Sequence, residues 1–171
     1  HDISIKSANA VINALNSEQN SKVYKIIYLY IDKSGNWWGS NIAKSALRKG
    51  YALTGDELPK LIKGKDFNSI IETIKSVDIW YPVLHGPNGE DGTIQGLFTL
   101  MGKPFVGSGV LGSALGMDKL AMKASFAAAG LPQVAYVHLQ ENDLKKADKM
   151  SSFLKRIDIQ LGFPCFVKPA N

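Results

Sequence analysis

The chain alternates between two periodicities. Ala8, Val11, Ile12 and Leu15 recur at helical spacing and predict a first helix, with Ser4 or Ser7 as its cap. The stretch KVYKIIYLYID is rich in β-branched and aromatic residues and predicts a strand; DKSGN is a turn, followed by WWG. GDELPKLIKGKD is a polar connection, and Ile70, Ile71, Ile74 and Val77 predict a short helix. VDIWYPVL is near-continuously apolar, as in a strand covered on both faces of a parallel sheet. A glycine-rich loop follows, then a helix with Ile94, Leu97, Phe98 and Met101 on one face, and a short strand in KPFVGSG. Strands alternating with helices predict βαβ units and a parallel sheet.

The pattern changes after Gly109, where a domain boundary is expected. LGSALGMDKLAMKASFAAAG is small-residue and helical, with Gly130 and Pro132 placed to end it. QVAYVHL reads as a strand. Asn142 or Asp143 would cap a helix carrying Leu144, Ala147, Phe153 or Leu154, Ile157 and Leu161, stopped by Gly162 and Pro164. CFVKP is expected as a last strand, with Phe166 and Lys168 on one face and Cys165 and Val167 on the other. No internal repeat or low-complexity tract interrupts the chain.

Composition narrows the class. The 171 residues are 45% hydrophobic and 20% charged, the balance of a globular chain able to bury a core. The net charge is +5, but the lysines are scattered and do not interleave with aromatics. Nucleic acid is therefore a weakly supported partner, and a small anionic ligand accounts for the excess equally well. The lone Cys165 cannot form an internal disulfide and is expected as an inert core thiol in a reducing compartment. The longest apolar run, VYKIIYLYI, is too short for a bilayer and carries Lys25. An opening on His1 at a helical pattern and a close on FVKPAN are those expected of an internal stretch of a longer chain.

Three places carry candidate chemistry. The first is LHGPNGEDGTIQGL, where His85 follows a strand end and glycines let backbone N–H groups approach a ligand. Glu90 is near enough to accept a hydrogen bond from His85 and fix its tautomer, and the next helix would begin near Asp91 to Thr93. The plainer alternative is that Asp91 caps that helix and His85 is a polar strand end. Metal ligation by His85, Glu90 and Asp91 matches no standard spacing. The second is Lys119, a cation in a helical first turn, where the dipole disfavours it by roughly 0.3–1 kcal/mol. Either an anion shared with the helix end removes that cost, or Asp118 neutralises it. The third is Lys168, which either snorkels from an apolar strand or meets an anion. The Trp37–Trp38 pair beside a turn is expected as local packing rather than a stacking site.

LHGPNGEDGTIQGLFTLMGKPFVGSGVLGSALGMDKLAMK, with AAGLP and GFPCFVKPAN, resembles the D-alanine–D-alanine ligases, and HDISIKSANAVINAL is similar to that family's first helix. The resemblance implies an α/β fold: a Rossmann-like parallel-sheet N-terminal domain over 1–109 and an incomplete ATP-grasp α+β central domain over 110–171. It implies ATP-dependent joining of two D-alanines through a D-alanyl phosphate, for peptidoglycan, in a cytoplasmic homodimer using magnesium or manganese. D-alanine–D-lactate ligation and non-catalytic ligand binding by the same loop are the rival readings. By match to the family pattern, His85 would contact the first D-alanine with Glu90 as its orienting partner. Lys119 and Lys168 would hold ATP phosphates. The family's first Gly-rich strand, substrate-amine acid, serine-rich loop, adenine segment, mobile tyrosine loop, catalytic arginine and magnesium carboxylates have no counterpart between His1 and Asn171. The stretch alone is therefore expected to be inactive.

Overall fold

The computed structural model describes residues 1–59 and 73–171. Ile70 and Ile71 lie outside the described residues, while 73–76 form a helical turn. The chain divides into two compact units, His1–Ala114 and Leu115–Asn171.

In the first unit, helix α1 (Asp2–Leu15) begins without a side-chain cap. Ser4 and Ser7 lie inside it, so neither is the expected N-cap. The helix is anchored instead by Asp2, whose carboxylate accepts the Ala52 N–H at 2.8 Å, and by Asn9, whose amide donates to the Leu47 carbonyl at 2.8 Å. Strands β1 (Tyr30–Ile31) and β2 (Trp37–Trp38) pair antiparallel, Tyr30 opposite Trp38. Helix α2 (Ser40–Lys49), which is not among the elements expected above, buries Ala43 and Ala46 and ends at Gly50 in the left-handed conformation (φ 75°). Its inward face combines the buried Ala43 and Ala46 with Ile42 and Leu47, which pack against the same cluster, an i, i+1, i+4, i+5 stripe of helical period.

The expected parallel sheet is reduced. Only two residues of KVYKIIYLYID form a ladder, and VDIWYPVL and KPFVGSG meet in a single parallel bridge, Trp80 with Phe105. Its bonds run from Trp80 N–H to the Pro104 carbonyl (2.9 Å) and from Val106 N–H to the Trp80 carbonyl (2.8 Å). The side chains nevertheless alternate as strand geometry requires. Tyr28, Tyr30 and Trp38 pack with Ile5, Ala43, Ala46, Ala52 and Leu53. Ile27, Leu29, Ile31 and Trp37 pack with Ile74, Val77, Trp80, Ile94 and Phe98. Segment 27–31 is thus a middle layer between two clusters, and the tryptophan pair is local packing, one ring to each side. In the second cluster Trp80 stacks on Phe98 with ring centroids 4.8 Å apart, and burial of a ring of this size contributes roughly 1.5–3 kcal/mol. Helix α3 (Thr93–Leu100) supplies Ile94 and Phe98 to that cluster, and Leu97 and Met101 flank it.

Helix α4 (Val110–Met117) follows. In the second unit, α5 (Lys119–Ala128) ends ahead of Gly130 (φ 70°), as its sequence predicts. The segments QVAYVHL and CFVKP form no strand. Phe166 and Val167 are both exposed, and Cys165 is half-buried rather than a core thiol. The expected single helix after Asn142 is two: α6 (Glu141–Leu144) and α7 (Ala147–Gln160), with Gln140 and Lys146 at the cap positions and Ile157 buried. Among the described residues, no helix is long and apolar enough to cross a membrane.

Candidate functional site

The glycine loop is built by its own acids. Gly86 adopts φ 81° directly after His85, and the Glu90 and Gly89 N–H groups turn back to the Gly86 carbonyl at 3.0 and 3.1 Å. One Glu90 oxygen, Oε2, accepts the Gly86 N–H at 2.6 Å. Both Asp91 oxygens are engaged, Oδ2 by the Asn88 N–H at 2.8 Å and Oδ1 by the Thr93 N–H at 3.0 Å. These two N–H groups, Asn88 foremost, hold the Asp91 carboxyl below its ordinary range. Asp91 therefore ties the loop to the first residue of α3, but Gly92 rather than Asp91 holds the cap position of that helix. Gly89 has no room for a side chain, since a Cβ there would stand 2.5 Å from Leu84 Cβ and 2.9 Å from the Leu84 carbonyl oxygen.

The product of this turn is an accessible imidazole. The His85 side chain retains 45% of its exposure, and its Nδ1 lies 3.6 Å from Glu90 Oε1. That is an electrostatic contact rather than the expected hydrogen bond, because Glu90 spends its shorter bond on the Gly86 N–H. The closer partners of His85 come from α1. Ser7 Oγ lies 2.9 Å from Nε2, and the His85 N–H donates to Ser4 Oγ at 3.0 Å. The local sequence offers Ser4 or Ser7 only as a helix cap; their i, i+3 spacing, which puts them on one helical face, is the signal for a shared partner. Gln95 was also missed. It is buried beside Ile94 and Phe98, and its Nε2 donates to the Gly89 carbonyl at 2.9 Å, holding the loop from below. A polar residue three positions before a core phenylalanine was the clue.

In the second unit, Lys119 is the first residue of α5. Asp118 caps that helix through its Oδ1, which accepts the Leu120 and Ala121 N–H groups at 2.8 and 2.9 Å. The helix end is thus satisfied by a carboxylate, and a shared anion is not required to offset the lysine there. The Lys119 N–H donates to the Ala170 carbonyl at 2.8 Å, and its ammonium lies 3.4 Å from the same oxygen. This brings Lys119 to the segment that carries Lys168, which is exposed. Among the described residues, no group of three His, Cys, Asp or Glu side chains is arranged to hold a metal ion.

Comparison with known proteins gives this arrangement its class. The family profile described as D-ala D-ala ligase N-terminus matches residues 1–108, and that described as D-ala D-ala ligase C-terminus matches 125–171. The chain belongs to the D-alanine–D-alanine ligase family. It is 57% identical over all 171 residues to a D-alanine–D-alanine ligase of Synechococcus sp. (strain CC9311), and 52% identical to that of Prochlorococcus marinus (strain MIT 9313). It spans about half the length of these relatives, 48% of each. Among solved structures, the D-alanine–D-alanine ligase from Coxiella burnetii aligns over 91% of this chain and 46% of its own, with TM-score 0.65 and 30% identity. The VanG D-Ala:D-Ser ligase from Enterococcus faecalis aligns over 99% of this chain and 48% of its own, with TM-score 0.68 and 30% identity.

Proposed function

We propose that this chain is the front half of an ATP-dependent D-alanine–D-alanine ligase. The carboxylate of one D-alanine takes a phosphoryl group from ATP. The amine of a second then attacks the D-alanyl phosphate, phosphate leaves, and the D-Ala-D-Ala dipeptide serves cell-wall peptidoglycan. The observation that carries this reading is the identity of 57% to a curated ligase across every residue of the chain. The loop around His85 gives that identity chemical content.

In this reading residues 1–109 form the substrate domain, a Rossmann-like parallel-sheet unit supported by the Trp80–Phe105 parallel bridge. Residues 110–171 begin the ATP-grasp central domain. The exposed His85 imidazole faces the reacting carboxylate of the first D-alanine, and Glu90 biases the ring electrostatically from 3.6 Å. Lys119 and Lys168 hold ATP phosphates. Their fit rests on ammonium groups alone, since Asp118 already occupies the helix N-terminus. Magnesium or manganese would screen the phosphate charge and would be held by carboxylates outside this stretch. Cytoplasmic location and homodimer formation complete the proposal.

D-lactate or D-serine as second substrate are the neighbouring activities. The relatives at 57% and 52% identity are both named D-alanine–D-alanine ligases, and this favours D-alanine. The test is turnover by the full-length protein supplied with ATP, magnesium and D-alanine, with D-lactate and D-serine as competitors near neutral pH. D-Ala-D-Ala is expected as the dominant product. A dominant mixed product, or no ATP-dependent phosphate release, would refute the assignment.

A further inference from the structure

Helix α1 meets His85 at two points, one on its backbone and one on its ring. Ser4 and Ser7 lie three residues apart on one helical face, with the buried Ile5 between them seating the helix in the core. The Ser4 hydroxyl oxygen accepts the His85 backbone N–H at 3.0 Å, and the Ser7 hydroxyl meets ring Nε2 at 2.9 Å. On the other edge of the ring, Nδ1 faces a Glu90 oxygen at 3.6 Å. A carboxylate only accepts, so it favours the proton on Nδ1 and leaves the Nε2 lone pair for the Ser7 O–H. When the ring carries both protons, the same hydroxyl rotates and accepts from Nε2–H. A hydroxyl is among the few small groups able to serve both states without moving the ring. The support is stiff, because α1 is itself fixed by the Asp2 and Asn9 bonds to residues 52 and 47.

We infer that Ser7 is a positioning residue for His85, holding the imidazole in one orientation and one neutral tautomer, with Ser4 fixing the backbone beneath it. The inference rests on the ligase reading for its catalytic meaning, but the ring geometry is measurable without turnover. In the full-length protein, Ser7→Ala is expected to leave the fold intact, since alanine favours a helix. It should lower kcat/KM for the first D-alanine about three- to ten-fold, the loss of one hydrogen bond, with KM for ATP unchanged. Nitrogen-resolved NMR of the His85 ring, at a pH of about 8 where an ordinary imidazole is neutral, should show the Nδ1–H form dominant in the wild type and mixed in Ser7→Ala. Ser7→Thr, which keeps the hydroxyl, should restore both readouts. Wild-type turnover with unchanged kinetics and ring shifts in Ser7→Ala would overturn the inference, as would failure of Ser7→Thr to restore them. A wild-type protein that pins the ring yet releases no phosphate from ATP with D-alanine would overturn the ligase reading and support the pinning.

Discussion

At the scale of single residues, the loop is a set of short-range constraints that present one exposed group, the His85 ring. Gly89 is where the constraint is tightest. A methyl group there would meet Leu84 Cβ at 2.5 Å and the Leu84 carbonyl at 2.9 Å, and a backbone carbonyl cannot swing aside as a flexible side chain does. Gly89→Ala is expected to cost about 1–3 kcal/mol by overpacking and to push the peptide before His85, so both the melting temperature and D-alanine affinity should fall. Calorimetry beside steady-state kinetics separates the two effects; unchanged values in both would show that the loop tolerates the displacement. His85, Glu90 and Asp91 were legible because the glycines around them announce a special backbone. Ser4 and Ser7 were not, because a serine near a helix start reads locally as a cap, and their true partner lies 81 and 78 residues away. Gln95 was hidden in the same way by the apolar helix that carries it.

At the scale of elements, helices were more legible than strands, for a physical reason. A helix satisfies its hydrogen bonds within itself, whereas a strand needs a partner that local sequence does not name. KVYKIIYLYID carries the right side-chain alternation, yet its ladder covers only Tyr30 and Ile31. The turn that permits even this pairing is organised by Asp32. Its carboxylate accepts the Trp38 indole N–H at 2.9 Å, the Asn36 amide at 3.0 Å, and the Ser34 and Asn36 N–H groups at 2.8 and 2.9 Å. Burial pushes the Asp32 carboxyl up, but the bonds from Trp38, Asn36 and Ser34 together outweigh it and hold the group below its ordinary 3.8. A carboxyl lowered by folding contributes stability that is fully present above its unfolded value and is lost as pH falls through the folded one. Asp32→Asn should therefore destabilise the protein by about 1–3 kcal/mol at neutral pH, where a charged acceptor is lost. The gap from wild type should close below about pH 3.8. Denaturant titrations at neutral and acid pH test this, and a gap independent of pH would assign the loss to packing instead.

At the scale of the whole molecule, the proposed chemistry is distributed over two compact units, His1–Ala114 carrying His85 and Leu115–Asn171 carrying Lys119 and Lys168. That division makes the two ligands separable by mutation. His85 is exposed and its ring fills no core, so His85→Ala should leave stability within about 0.5 kcal/mol of wild type. Under the proposed function it removes the polar group that faces the first D-alanine, so KM for D-alanine should rise and kcat should fall, with KM for ATP held. Lys168 is likewise exposed, and Lys168→Ala removes a cation without opening a cavity. A charge-assisted hydrogen bond contributes about 1.5–3 kcal/mol, so ATP affinity should drop by roughly ten-fold or more while D-alanine affinity moves less. The double variant should show the two losses adding in free energy if the residues touch different ligands, and falling short of the sum if both act on one developing charge. Substrate-varied kinetics of the two single variants and the double, in the full-length protein, decide between these cases. A Lys168 variant that weakens D-alanine more than ATP would remove the basis for assigning the second unit to the nucleotide.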